Sequence, residues 1–209
     1  MWTPGRRFVG GATVLGGLCV VVASIPTRWF GTVPTDSYVF DPPTYSPLWI
    51  ERTIVPAVSI AAALLTLAGL VALFHRDREW MERWQRWFAV VAVVGAAVGT
   101  FATVLLASNG DGAGGDPTAT LNVLFAVLLG LVGVVLAGPG LLAWGIGYLR
   151  AGRRRLGTAL AGGVTVPVLL VAVTIALDVD PGPAGGVLMS LPAALLAVGV
   201  GYDLWTRAA

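Results

Sequence analysis

The chain has 209 residues, of which 56% are hydrophobic and only 11% are charged, and its mean hydropathy is +0.83. A single soluble core of this size cannot bury so much apolar surface, so the composition excludes an ordinary soluble globular protein. It predicts an integral membrane protein.

Six apolar stretches are each long enough to cross the hydrocarbon core as a helix, which takes about 20 residues. They cover approximately residues 8–25, 53–74, 87–107, 121–149, 156–177 and 187–205. None alternates polar and apolar residues as a barrel strand would. We expect an all-α polytopic protein, a single membrane domain (1–209) of six helices paired as three hairpins. An alternative for the first stretch is a cleaved signal peptide, because Arg6 and Arg7 precede it and Val21 with Ala23 resembles a cleavage site.

The arginines indicate the orientation of these helices. If the N-terminus is cytoplasmic, 11 of the 13 arginines fall on the cytoplasmic side and only Arg28 and Arg52 fall outside. The positive-inside rule therefore predicts that both termini are cytoplasmic. It also explains the basic inner face without a nucleic-acid partner.

Every basic residue other than the lone histidine is arginine, and alanine, glycine and valine dominate the apolar positions. We interpret this bias as that of a GC-rich genome, and the acidic outer loops are typical of a halophilic archaeon or an actinobacterium. The predicted location is the plasma membrane of a prokaryote.

The outer connection 26–52 is rich in proline and aromatic residues, which a purely flexible linker would lack. We expect an ordered lid over the outer helix ends. The alternative is a recognition surface, for which the candidate binding residues are Asp36, Tyr38, Asp41, Tyr45 and Trp49.

The inner connection 75–86 has the spacing of an amphipathic helix. Trp80, Trp84 and Trp87 recur at intervals of four and three, which places them on one helical face. This predicts a helix in the cytoplasmic interface with the three indoles as anchors. Binding of a partner protein or of anionic lipid headgroups is the alternative.

Small and helix-breaking residues recur in the third, fourth and fifth stretches. Gly95, Gly99 and Thr103 form a small-residue stripe that favours packing within the chain. The fourth stretch is longer than a bilayer requires, and Gly138, Pro139 and Gly140 predict a kink or break in it. Together with Thr165 and Pro167 they define a candidate cavity, because interrupted helices free backbone carbonyl groups.

A nine-residue segment of the fourth helix recurs in the sixth helix. "LLAWGIGYL" at 141–149 and "LLAVGVGYD" at 195–203 are identical at seven positions. Duplication of a hairpin explains the match, and so does chance in a chain of such low complexity.

No ionisable side chain lies at the centre of a predicted span, which argues against proton relays and charge-coupled transport. His75 is the sole histidine and Cys19 the sole cysteine, so a bis-histidine haem and the usual zinc sites lack ligands. We therefore predict no catalytic residue, cofactor or metal.

The expected function is that of a non-catalytic accessory, assembly or regulatory component. Its partners would be membrane lipid and, as an open alternative, another membrane protein. A small permease or channel for neutral or lipophilic solutes, using helices broken near Pro139 and Pro167, is the second hypothesis. A lipid-modifying enzyme is the third.

Overall fold

A computed structural model of the chain describes residues 4–26, 40–41, 44–108, 117–178 and 185–206. Six of its helical segments are long and apolar enough to cross a membrane, which confirms the predicted all-α class. The helices are α1 Pro4–Ser24, α2 Pro47–Trp49, α3 Val55–Asp77, α4 Arg83–Ser108, α5 Pro117–Arg150, α6 Arg154–Ala176 and α7 Gly185–Thr206. The described residues also include two short strands, β1 Phe40–Asp41 and β2 Thr44–Tyr45, which pair in antiparallel orientation.

The second span begins earlier than predicted, because helix α2 continues into α3 through a π-helical turn at Ile50–Ile54. Ser46 caps α2: its Oγ accepts a hydrogen bond from the Trp49 N–H at 3.1 Å. The π-helical turn lies just before Pro56. Because Pro56 has no N–H, it cannot donate the usual α-helical hydrogen bond at this point of the helix. The last six residues assigned to the outer lid are thus helical.

Helix α5 runs without interruption through Pro139, so the predicted break at residues 138–140 is wrong. Its 34 residues extend about 51 Å at 1.5 Å per residue. The glycine at 140 serves packing: a Cβ there would lie 2.7 Å from the backbone N of Ala92 in α4. Because α4 and α5 are in close contact here, only glycine fits at position 140.

The connection between α3 and α4 is a turn, not an amphipathic helix. Helix α3 ends at Asp77, residues 78–82 form the turn, and α4 begins at Arg83. The predicted helix over 75–86 is therefore wrong, and the three tryptophans do not share one helical face. The side-chain contacts of Asp77, described below, explain why α3 ends there.

The six long helices pack in a closed ring, each against its neighbours in sequence, with α7 closing on α1 and also touching α3. Glycines permit the closest approaches. A Cβ at Gly10 would lie 2.7 Å from the Gly201 carbonyl oxygen, and one at Gly201 would lie 2.6 Å from that of Gly10. The backbones of α1 and α7 are thus in direct contact.

The two ends of the bundle differ. At the arginine-rich end, where α1, α4 and α6 begin, the interior is filled by large side chains. They include Leu70, Leu73, Trp144, Tyr148, Leu160, Val200 and Leu204, all at most 2% exposed. The opposite, arginine-poor end carries small residues between the helices and contains an open cleft.

Candidate functional site

A buried ionic cluster joins three helices at the arginine-rich end. Arg76 forms a two-pronged contact with Asp77, from Nε to Oδ1 and from Nη2 to Oδ2, both at 2.8 Å. The same Nη2 donates to Asp203 Oδ2 at 2.6 Å, and Nη1 donates to the Asp203 carbonyl oxygen at 3.3 Å. Arg76 therefore ties the end of α3 to the end of α7.

Asp77 extends the cluster to α5 and to the turn before α6. Its Oδ2 accepts from the Tyr148 hydroxyl at 2.6 Å and from Arg153 Nη1 at 3.1 Å. The Arg153 guanidinium also lies over the Trp80 ring, 4.4 Å from its centroid. These contacts hold the 78–82 turn against α5, which explains why α3 does not continue beyond Asp77.

The turn between α5 and α6 positions Arg153 for these contacts. Gly152 has φ +77°, a conformation in which a side chain would be strained. Arg153 N donates to Tyr148 O at 2.9 Å and Gly152 N donates to Leu149 O at 3.1 Å, which is the Schellman ending of a helix. The left-handed glycine thus turns the chain so that Arg153 returns over Tyr148.

The chemistry of this cluster is that of a structural lock. Asp77 Oδ2 already accepts three donors, and the side chain of Asp77 is only 3% exposed. Oδ1 accepts a further hydrogen bond from Arg76 Nε, so protein donors hold both oxygens of the carboxylate. Removing one partner would leave an uncompensated buried charge, so the cluster fixes how α3, α5 and α7 meet.

The arginine-poor half contains a cleft of about 680 Å³ between α1, α3, α4 and α5. Small side chains on all four helices keep it open. The small residues that line it are Ala23, Ala62, Ala63, Ala96, Gly99, Ala102, Ala126 and Gly130. Gly99 faces open space, because a Cβ added there would meet no atom within 4 Å.

The cleft presents an apolar surface although several hydroxyl groups line it. Thr100 donates to the Ala96 carbonyl oxygen at 2.8 Å, and Thr103 donates to that of Gly99 at 3.0 Å. Ser24 lies at hydrogen-bond distance, 2.7 Å, from the Val21 carbonyl oxygen. Hydroxyls bonded to their own helix contribute little polarity to the cleft. The buried Thr66 hydroxyl, also in the lining, is the exception, because it has no hydrogen-bond partner among the described residues.

The cleft is closed toward the arginine-rich end. Continuing along α3 from Leu67, the chain reaches Leu70 and Leu73, which are 2% and 0% exposed. Along α5, Val134 in the wall is followed by the buried Trp144. Within the described residues, these buried side chains close the cleft at this end.

The residues of the candidate cavity predicted at 138–140, 165 and 167 lie on two neighbouring helices, α5 and α6. Pro139 and Thr165 lie on the exposed surface of the bundle, and the Thr165 hydroxyl donates to the Ala161 carbonyl oxygen at 2.8 Å. Pro167 lies within α6. Both helices continue through their prolines, so the helix break on which this prediction rested is wrong, and the cavity itself stays a prediction.

The predicted outer binding residues are brought together only in part. Asp36 and Tyr38 lie outside the described residues. Asp41 and Tyr45 belong to the paired strands, where Asp41 is opposite Thr44 and Tyr45 is opposite Phe40. Trp49 lies in α2, partly buried. Their binding role stays a prediction.

The three inner tryptophans have separate surroundings. Trp80 contacts Arg153, whereas Trp84 lies beneath Arg150, whose Cζ is 5.8 Å from its ring centroid. Trp84 Nε1 also donates to Glu82. Trp87 is 69% exposed. Their role as interfacial anchors stays a prediction.

Sequence reasoning missed both the ionic cluster and the open cleft. Asp77, Tyr148 and Asp203 are far apart in the chain, and no spacing in the sequence links them. The repeat offered a partial signal, because Gly145 and Gly147 with their counterparts Gly199 and Gly201 all pack against neighbouring helices. No family model, curated protein or solved structure matches this chain.

Proposed function

We propose that this chain is a non-catalytic component of a prokaryotic plasma membrane whose open cleft holds a hydrophobic helix of a partner membrane protein. The observation that carries the proposal is the cleft itself, about 680 Å³ between four helices. Its lining of alanine and glycine is the composition that allows helices to approach closely in lipid.

The shape of the cleft favours a helix as its occupant. Lining residues on α4 extend from Ala96 to Leu106, which is about 15 Å of helix at 1.5 Å per residue. Val127 and Val134 belong to the wall and are 48% and 66% exposed, so the cleft opens sideways toward lipid. An elongated groove with a lateral opening suits lateral entry of a partner helix.

We place both termini in the cytoplasm, with the arginine-rich end on the cytoplasmic side. The arginine count supports this orientation, and the ends of α3, α5 and α7 at one face agree with alternating spans. The cleft then occupies the outer half of the membrane. Composition favours a halophilic archaeon or an actinobacterium as the source.

Filling the cleft tests the proposal. Gly99→Phe places a ring where a Cβ meets nothing within 4 Å, and Val168→Phe is the control because Val168 is an exposed residue of α6 outside the cleft lining. Each tagged variant is purified from native membranes. We expect a stoichiometric membrane partner with the wild type and with Val168→Phe, and its loss with Gly99→Phe. A partner retained equally by both variants would refute the proposal.

The second candidate function is a permease for neutral or lipophilic solutes, and the cleft volume favours it because ligand pockets are commonly 300–1,000 Å³. The closed floor would have to open during transport. Flux of a neutral solute into proteoliposomes that Gly99→Phe abolishes and Val168→Phe leaves intact would decide for the permease.

A further inference from the structure

A second groove runs along the outside of the bundle between α6 and α7. It consists of two adjoining cavities, of about 820 and 590 Å³, which share Arg155 and Leu195 in their walls. One lies at the arginine-rich end and the other extends along the helices toward Leu170 and Leu188. Together they form one continuous groove with a charged end and an apolar stem.

The charged end is strongly basic. Arg153, Arg154 and Arg155 line it together with Tyr202 and Thr206. Arg153 is committed to Asp77, but Arg154 and Arg155 are exposed and form no ion pair within the described part of the chain. Asp203, the acid in this lining, is bound to Arg76. Two arginines are thus available to an anion.

The apolar stem has the form of a channel for a hydrocarbon chain. Its sides are Val166, Leu188, Leu191 and Leu195, which are 40–65% exposed. Where the stem meets the charged end, Gly199 of α7 lies against Ala159 of α6, because a Cβ at Gly199 would lie 2.6 Å from Ala159 Cβ. Gly162 leaves the stem open, since no atom lies within 4 Å of a Cβ built there.

We propose that this groove binds an anionic phospholipid, with its phosphate at Arg154 and Arg155 and an acyl chain in the stem. Charge complementarity selects an anionic headgroup, and the continuity with an apolar stem selects a lipid over a soluble anion. In the orientation inferred above, the lipid belongs to the cytoplasmic leaflet. The site is on the opposite side of α6 and α7 from the partner cleft and does not depend on it.

Binding of defined lipids to the purified full-length protein tests this assignment. Native mass spectrometry in detergent measures binding of phosphatidylglycerol, with phosphatidylcholine of the same chains as comparison. Arg154→Gln with Arg155→Gln should weaken phosphatidylglycerol binding by about 30-fold, since each basic residue near an anionic surface contributes about 1 kcal/mol. The control pair, Arg78→Gln with Arg83→Gln, removes two exposed arginines from the same end and should change binding less than about twofold.

The Gly162→Phe variant tests the apolar stem independently of the charged end. It should weaken phosphatidylglycerol binding while leaving binding of inorganic phosphate unchanged. Equal losses from the two arginine pairs would overturn the proposal, because they would indicate general surface attraction. It would also be overturned if phosphatidylcholine bound as tightly as phosphatidylglycerol, or if Gly162→Phe had no effect on lipid binding.

Discussion

Asp77 is the residue on which the arginine-rich end depends most. Its carboxylate accepts from Arg76, Tyr148 and Arg153, and its side chain is almost entirely removed from solvent. The energetic value of such a group lies less in attraction than in the cost of leaving its partners buried and unpaired. Arg76 is its neighbour in the sequence, whereas Tyr148 ends α5 and Arg153 follows in the next turn, so losing Asp77 affects the contact of α3 with α5 and, through Arg76, with α7.

Asp77→Asn should lower the free energy of unfolding by about 3–5 kcal/mol, the usual cost of breaking a buried ion pair. Chemical or thermal unfolding of the protein in mixed micelles, followed by circular dichroism, measures the change. Glu79→Gln, at an exposed position two residues further on, is the control and should shift the value by less than about 0.5 kcal/mol. Equal effects of the two substitutions would show that the cluster is not a lock.

At the scale of the helices, α4 combines two kinds of glycine one turn apart. A Cβ at Gly95 would collide with the backbone N of Ala137 and lie 2.8 Å from the Gly133 carbonyl oxygen. A Cβ at Gly99 would meet nothing, because that face opens into the cleft. Glycine thus serves close α4–α5 packing at one position and an open cleft at the next. The four-residue spacing in the sequence places Gly95 and Gly99 in one small-residue stripe and does not distinguish their two roles.

Gly95→Ala and Gly99→Ala should therefore have opposite effects on stability. Gly95→Ala forces α4 away from α5 and should cost about 1–3 kcal/mol through overpacking. Gly99→Ala should be neutral or stabilising by up to about 1 kcal/mol, since alanine favours the helix. Unfolding midpoints measured side by side test the pair; destabilisation of the same size at both positions would contradict the described cleft.

At the scale of the whole molecule, the bundle is locked at one end and open at the other. The six spans could be predicted from the sequence because bilayer thickness requires about 20 apolar residues per helix. The ionic cluster could not, because Asp77, Tyr148 and Asp203 meet only when α3, α5 and α7 are packed. Pro139 misled the prediction for a physical reason: a helix in lipid can stay continuous through a proline when neighbouring groups satisfy the carbonyl that loses its N–H donor.

The inferred orientation makes its own prediction for the whole molecule. In a variant with Cys19→Ser, a cysteine at Ser108, at the arginine-poor end of α4, should react with an impermeant maleimide from outside intact cells. A cysteine at Arg86, near the start of α4, should react only after the membrane is opened. Labelling of the Ser108 position exclusively from the cytoplasm would reverse the topology.

Site-specific photo-cross-linking in native membranes tests most directly the claim that the cleft holds a partner helix. Benzoylphenylalanine replaces Val127, an exposed residue of the cleft wall, or Val168, an exposed residue of α6 that lines neither groove. We predict one discrete protein adduct from position 127 and none from position 168. The account would be contradicted by no protein adduct at position 127, or by the same adduct at both positions.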